Sequence, residues 1–192
     1  MALGVAVAIV VAGGYLIGSI PVAVLVGRAH GVDLREVGDR NPGWWNAKDR
    51  LGARAAVPVL VGDTAKGASG AALGIALAHA AHGGWGYGYA GGAAAMVGHA
   101  WPVFAGFRGG RSVLCFVGAA AVVAPLAALL AVGVLALVNA ATRSFAWGAR
   151  AGVFGFPVVQ LVVEGPYRTA ATGALMCIIG ARFALASRAT GG

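Results

Sequence analysis

Residues Ser112–Ala141 read SVLCFVGAAAVVAPLAALLAVGVLALVNAA, a thirty-residue run without a single charge. One tilted helix of that length would cross a bilayer with residues to spare. Pro125 offers the other reading, because proline lacks an N–H and clashes with the preceding helical turn. The run then makes two short spans hinged near Pro125. The flanking charges decide between these. With two spans, Arg143 and Arg150 fall on the same side as the polar segment 28–54, Arg108 and Arg111. The later apolar runs, about 151–163 and 169–187, put Glu164 and Arg168 opposite and return Arg182 and Arg188 to the basic side. The positive-inside rule makes the basic side cytoplasmic.

Working outward, apolar runs at 3–27, 55–80 and 86–105 complete the pattern. The expectation is an all-α integral membrane protein with one membrane domain over residues 1–192. It is a compact bundle of about seven transmembrane helices. Some are only about 13–16 residues long, short for a bilayer. The N-terminus lies outside and the C-terminus is cytoplasmic. The first run lacks a basic flank and a cleavage site, so it is read as a retained span. The expected place is the inner (plasma) membrane, crossed several times.

Composition agrees. Of 192 residues, 59% are hydrophobic and 10% charged, against about a quarter charged in soluble domains. The 33 glycines suit close helix packing. A net charge of +8 points to an anionic partner. In so apolar a chain that means lipid headgroups or phosphorylated substrates, and no nucleic-acid motif is present. Cys115 and Cys177 lie inside apolar runs and read as packing residues. His79 and His82 are spaced i, i+3 without an acidic or cysteine partner, so no metal site and no cofactor is expected.

The polar residues gather in few places. Gly98–Ser112 holds a histidine, two arginines, a proline and four glycines. Glycine permits sharp turns and close approach. Consecutive N–H groups form anion nests, and arginine matches phosphate with a fork of donors. A helix starting at about Ser112 would aim its positive end at the same place. The stretch reads as a phosphate site, or else as a basic turn that only sets topology. The long loop 28–54 centres on Asp39, Arg40, Asn41, Gly43, Trp44, Trp45 and Asn46. It is expected to be an irregular, donor-rich turn, its tryptophans at the interface. Asp63 and Lys66 share a helix face inside a span, where charge is costly and usually faces a cavity or a partner. In the first run, Pro21 should kink the helix and free a carbonyl, and the Ser19 hydroxyl can bond back to the backbone. The motif loops 28–54, 106–112 and 141–150 would share the cytoplasmic face. With no nucleophilic triad, a mechanism would rest on positioning and electrostatics.

At these segments the chain resembles the PlsY-type membrane glycerol-3-phosphate acyltransferases, which use acyl-phosphate as donor. Gly18-Ser19-Ile20-Pro21 looks like that family's motif in the first span. Gly31-Val32-Asp33-Leu34-Arg35, followed by Gly38, Asn41, Gly43 and Asn46, is similar to its first cytoplasmic motif. Asp63-Thr64-Ala65-Lys66-Gly67 resembles its Asp-x-x-Lys-Gly. Gly98-His99, Pro102-Val103-Phe104, Gly106-Phe107 and Gly109-Gly110 resemble its second motif, and Thr142-Arg143 its third. There are departures. Asp39-Arg40 stand where the family has Ser-Gly, Arg111-Ser112 where it has Lys-Gly, and Ala146 and Ala149 where it has serines.

The resemblance implies transfer of a fatty acyl group from acyl-phosphate to glycerol 3-phosphate, giving lysophosphatidate for phospholipid biosynthesis. His99, Asn41 and Lys66 would be catalytic. Ser19, Arg40, Asn46, Arg108, Gly109, Gly110, Arg111 and Ser112 would hold substrate or phosphate. The alternative is a non-catalytic relative that binds a phosphorylated lipid or scaffolds a partner membrane enzyme.

Overall fold

The computed structural model describes residues 2–190, with side chains as far as Ser187. Nine α-helices and one 3-10 turn make up the described chain. Helix α1 (Leu3–Gly18) stops at Ser19-Ile20-Pro21, and α2 (Val22–Ala29) resumes beyond it. A short helix α3 (Trp44–Leu51) sits inside the polar segment 28–54, which is therefore not wholly irregular. Helix α4 (Ala53–Ala80) runs 28 residues, about 42 Å at 1.5 Å per residue. Helix α5 (Gly86–Ala100) ends at Trp101-Pro102, and the 3-10 turn Val103–Ala105 leads into the glycine-arginine stretch.

Pro125 does break the long apolar run. Helix α6 (Val113–Val123) ends at Ala124, and Pro125 opens α7 (Pro125–Thr142) at its first turn, where a missing N–H costs nothing. Helices α8 (Phe145–Glu164) and α9 (Pro166–Thr190) complete the bundle. Here the expected boundaries need correcting. Only Arg143 and Ser144 separate α7 from α8, so 141–150 is no loop. Arg150 lies on α8, its guanidinium stacked 4.9 Å from the Trp147 ring centroid. Arg143 takes a left-handed conformation, φ 52°, which turns the chain within two residues.

By length and apolarity, four segments among the described residues qualify to cross a membrane: Leu3–Ala29, Pro125–Thr142, Phe145–Glu164 and Pro166–Ser187. Helices α5 and α6 are shorter, and α4 carries Asp63 and Lys66. These three form the packed centre. Small residues make that possible. A methyl group on Gly67 would overlap the Cys115 carbonyl, and one on Gly118 the Thr64 carbonyl, so α4 and α6 cross with backbones touching. Around them lie Met96, Phe116, Ala119 and Phe156, all buried. Cys115 is buried and Cys177 exposed, and both are free thiols.

Candidate active site

Where α1 breaks at Pro21, the Ile20 carbonyl is left outside a helical ladder. Lys66, near the middle of α4, fills that position. Its ammonium donates to Ile20 O at 2.8 Å and to His99 Nδ1 at 3.0 Å, and lies 2.8 Å from Asp63 Oδ1. Asp63, Lys66 and His99 are all buried. An ammonium has only donors, so His99 Nδ1 must accept and Nε2 must carry the ring hydrogen. Asp63 Oδ1 also lies 3.5 Å from His99 Nδ1 and balances the buried positive charge.

The ring edge bearing Nε2 abuts Gly110, where a methyl group would collide with it. Gly109 is equally confined, because a methyl there would overlap the His99 carbonyl and the Pro102 ring. The Gly110 N–H donates to His99 O at 3.1 Å. Helix α9 reaches the other side of the same turn. Arg182 Nη2 donates to Gly109 O at 2.8 Å and its Nε to Gly110 O at 3.1 Å. Within the turn the two glycine carbonyls face Arg182 and the Gly110 N–H faces His99 O, so that N–H is not free for an anion. Ser112, expected in the site, stands in a left-handed conformation before α6 (φ 62°). Its hydroxyl donates to Met96 O at 2.8 Å, which ties the turn to α5.

The polar loop closes over this core. Asn46 is buried, and its amide donates to Leu34 O, Val37 O and Asn41 O. Those contacts occupy its donors and hold the loop shape. The Asn41 backbone N–H is engaged by Asp39 Oδ1 at 3.1 Å. Arg40 is exposed and left-handed at φ 56°. Two ion pairs join the loop to the glycine-arginine stretch: Arg108 with Glu36 at 2.8 Å and Arg111 with Asp39 at 3.0 Å. Arg35 adds a hydrogen bond to Ala105 O at 3.2 Å. It also grips Asp33 at 2.6 Å, and its side-chain hydrogen bonds hold the Asp33 carboxyl well below the usual carboxylate range. Beneath the closure is a cavity of about 20 Å³ lined by Ile20, Pro42, Asp63, Lys66, His99 and Gly109. Three buried polar atoms in or beside this core make no hydrogen bond among the described residues: Ser19 Oγ, Arg111 Nε and Asp63 Oδ1, the last held by its ion pair with Lys66. Ser19 therefore does not bond back through its hydroxyl, although its N–H donates to Tyr15 O.

Of the expected site residues, Lys66, His99, Gly109 and Gly110 meet directly, and Arg108 and Arg111 stand at the rim. The family model for glycerol-3-phosphate acyltransferases matches residues 8–188, which contain all of them. The chain belongs to the glycerol-3-phosphate acyltransferase family.

A glycerol-3-phosphate acyltransferase of Exiguobacterium sibiricum is 44% identical over 114 residues, covering 59% of this chain and 53% of that relative. One of Symbiobacterium thermophilum is 37% identical over 153 residues, covering 80% and 74%. The chain thus spans about half the length of the first relative. A crystal structure of PlsY (YgiH), an integral membrane glycerol 3-phosphate acyltransferase in its glycerol 3-phosphate form, superposes with TM-score 0.78. Sequence identity there is 28%, with 92% of this chain and 87% of that one covered. The same protein in its lysophosphatidic acid form gives TM-score 0.76. This chain is accordingly an integral membrane protein with several spans.

Against that family background, sequence reasoning passed over one residue. Arg182 entered only as a charge that orients the last span, yet its fork of donors holds the glycine turn. A lone arginine 71 positions beyond Arg111 gives no local signal of that contact.

Proposed function

We propose that this protein transfers a fatty acyl group from acyl-phosphate to the 1-hydroxyl of glycerol 3-phosphate, releasing lysophosphatidate and phosphate in phospholipid biosynthesis. The observation that carries this reading is the buried Asp63–Lys66–His99 cluster set against Gly109–Gly110. In the reaction, the hydroxyl oxygen bonds to the acyl carbon as the bond from that carbon to the phosphate oxygen breaks. The hydroxyl proton passes to a substrate phosphate, so no protein nucleophile is needed. Charge develops on the acyl oxygen and on the departing phosphate. Fixed donors aimed at such charge lower the barrier without reorganising.

The residues divide the work. Lys66 donates to Ile20 O and His99 Nδ1 and is ion-paired with Asp63, so it supplies charge and fixes the His99 tautomer. His99 offers its Nε2–H beside Gly110. Arg111, with Nε unpartnered, and Arg108 at the rim receive phosphate. Asn41 and Asn46 shape the loop, and Ser19 offers a free hydroxyl. The same reading places seven crossings, with α1 and α2 counted as one, and the motif segments on the cytoplasmic face of the plasma membrane. Cysteines substituted at 143–148 should then label only from inside, and labelling from outside would refute that topology.

The decisive test is phosphate release from an acyl-phosphate by the purified protein, with and without glycerol 3-phosphate. Release that depends on glycerol 3-phosphate supports the transfer. Binding of phosphorylated lipid with no such release favours the non-catalytic alternative.

A further inference from the structure

We propose that Arg182 of α9 is a positioning residue for the phosphate-receiving turn; this role rests on the acyltransferase reading above. Four contacts made by two adjacent residues carry the proposal. The Arg182 guanidinium lies with its centre 5.3 Å from the Trp101 ring centroid. Its edge donates to the carbonyls of both Gly109 and Gly110. The next residue, Phe183, carries the Arg111 guanidinium 4.7 Å above its ring. Helix α9 therefore grips the backbone of the turn with one side chain and the working side chain of the turn with the other.

The geometry has a direct consequence. In a trans peptide the carbonyl and the N–H point opposite ways. Drawing the Gly109 carbonyl toward Arg182 turns the Gly110 N–H the other way, where it meets His99 O at 3.1 Å. Drawing the Gly110 carbonyl the same way likewise aims the Arg111 N–H away from α9. Two glycines in a row have the widest choice of backbone states of any pair, so this orientation needs an external hold. A planar fork with adjacent donors provides one for two neighbouring carbonyls, and a lysine ammonium does not match that geometry.

The test uses the full-length protein in lipid nanodiscs, with Arg182→Ala and Arg182→Lys. Backbone hydrogen exchange over 107–112 is followed alongside phosphate release. Exchange there should quicken about tenfold in both variants. Turnover should fall on the order of 100-fold, as for a misplacement of about 1 Å. Added guanidinium should restore part of the Arg182→Ala turnover, and added ammonium should not. Unchanged exchange over 107–112, or full turnover by Arg182→Lys, would overturn the proposal. If the unsubstituted protein releases no phosphate, the acyltransferase reading fails instead, and the exchange measurement still decides whether Arg182 orders the turn.

Discussion

Asp39→Asn is the most informative single change. Asp39 Oδ2 lies 3.0 Å from Arg111 Nη1, and the two side chains are 42% and 26% exposed. A phosphate taking the free edge of Arg111 would sit roughly 5 Å from the Asp39 carboxylate, where two unit charges repel by about 0.8 kcal/mol in water and about 3 kcal/mol at an effective dielectric constant of about 20. Exposure places the pair near the watery limit, so about 1 kcal/mol applies, which is roughly fivefold in affinity. Removing the charge should lower KM for glycerol 3-phosphate about fivefold while kcat changes little, because the repulsion acts on bound substrate and transition state alike. The assay is initial-rate phosphate release against glycerol 3-phosphate concentration. The gap between the two proteins should narrow as ionic strength rises from about 0.01 M to about 0.15 M and the Debye length shortens from about 30 to about 8 Å. A higher KM in Asp39→Asn would refute the reasoning, since Asp39 would then be holding Arg111 ready for substrate. A fivefold effect indifferent to salt would refute it too.

Two other changes test the deeper parts of the site. Lys66→Met should cut phosphate release by at least about 100-fold. It should also lower the thermal midpoint, because an unpaired buried carboxylate costs about 3–5 kcal/mol; adding Asp63→Leu should recover the midpoint and not the turnover. At the loop, Asp33 has a depressed folded-state pKa. Its contribution to stability is therefore present above the unfolded carboxylate value, about 4, and lost as pH falls toward the lower folded value. Asp33→Asn should melt below the parent at pH 7, and the difference should shrink as the pH is taken down through 3.

How far the sequence disclosed this protein follows from the range over which each signal acts. Pro125 acts on its own helical turn, so the break between α6 and α7 was legible. Asp63 and Lys66 face one way because they are three apart on one helix, and that too was legible. The start of α8 was misread because Arg143 and Arg150 suggested a loop, whereas Arg150 lies along Trp147 on the helix surface. Asn46 and Ser112 offered donors that suit a phosphate, yet both turn to nearby carbonyls. Which acceptor a polar side chain meets depends on chain folded from elsewhere. The grip of Arg182 on Gly109 and Gly110 is the extreme case, since it joins the last helix to a turn more than 70 residues earlier.

The ion pairs also differ in how readily they can be exchanged, and this bears on how a phosphate would enter. Arg108–Glu36 and Arg111–Asp39 sit at the rim with substantial exposure. Such pairs contribute only about 0–1 kcal/mol, so a phosphate can join these arginines at little cost. Lys66–Asp63 is nearly sealed, at 6% and 2% exposure, and breaking it would strand a buried charge. A cavity of about 20 Å³ has room for roughly one water molecule, far less than a glycerol phosphate needs. On the proposed reading, substrate binding must therefore open the rim and leave the core intact. The exposed pairs of Glu36 and Asp39 can rearrange around a bound phosphate, and the buried Lys66–Asp63 pair keeps His99 oriented. Burial sets this division, because the pairs at the exposed rim are the weak ones and the pair beneath them is the strong one.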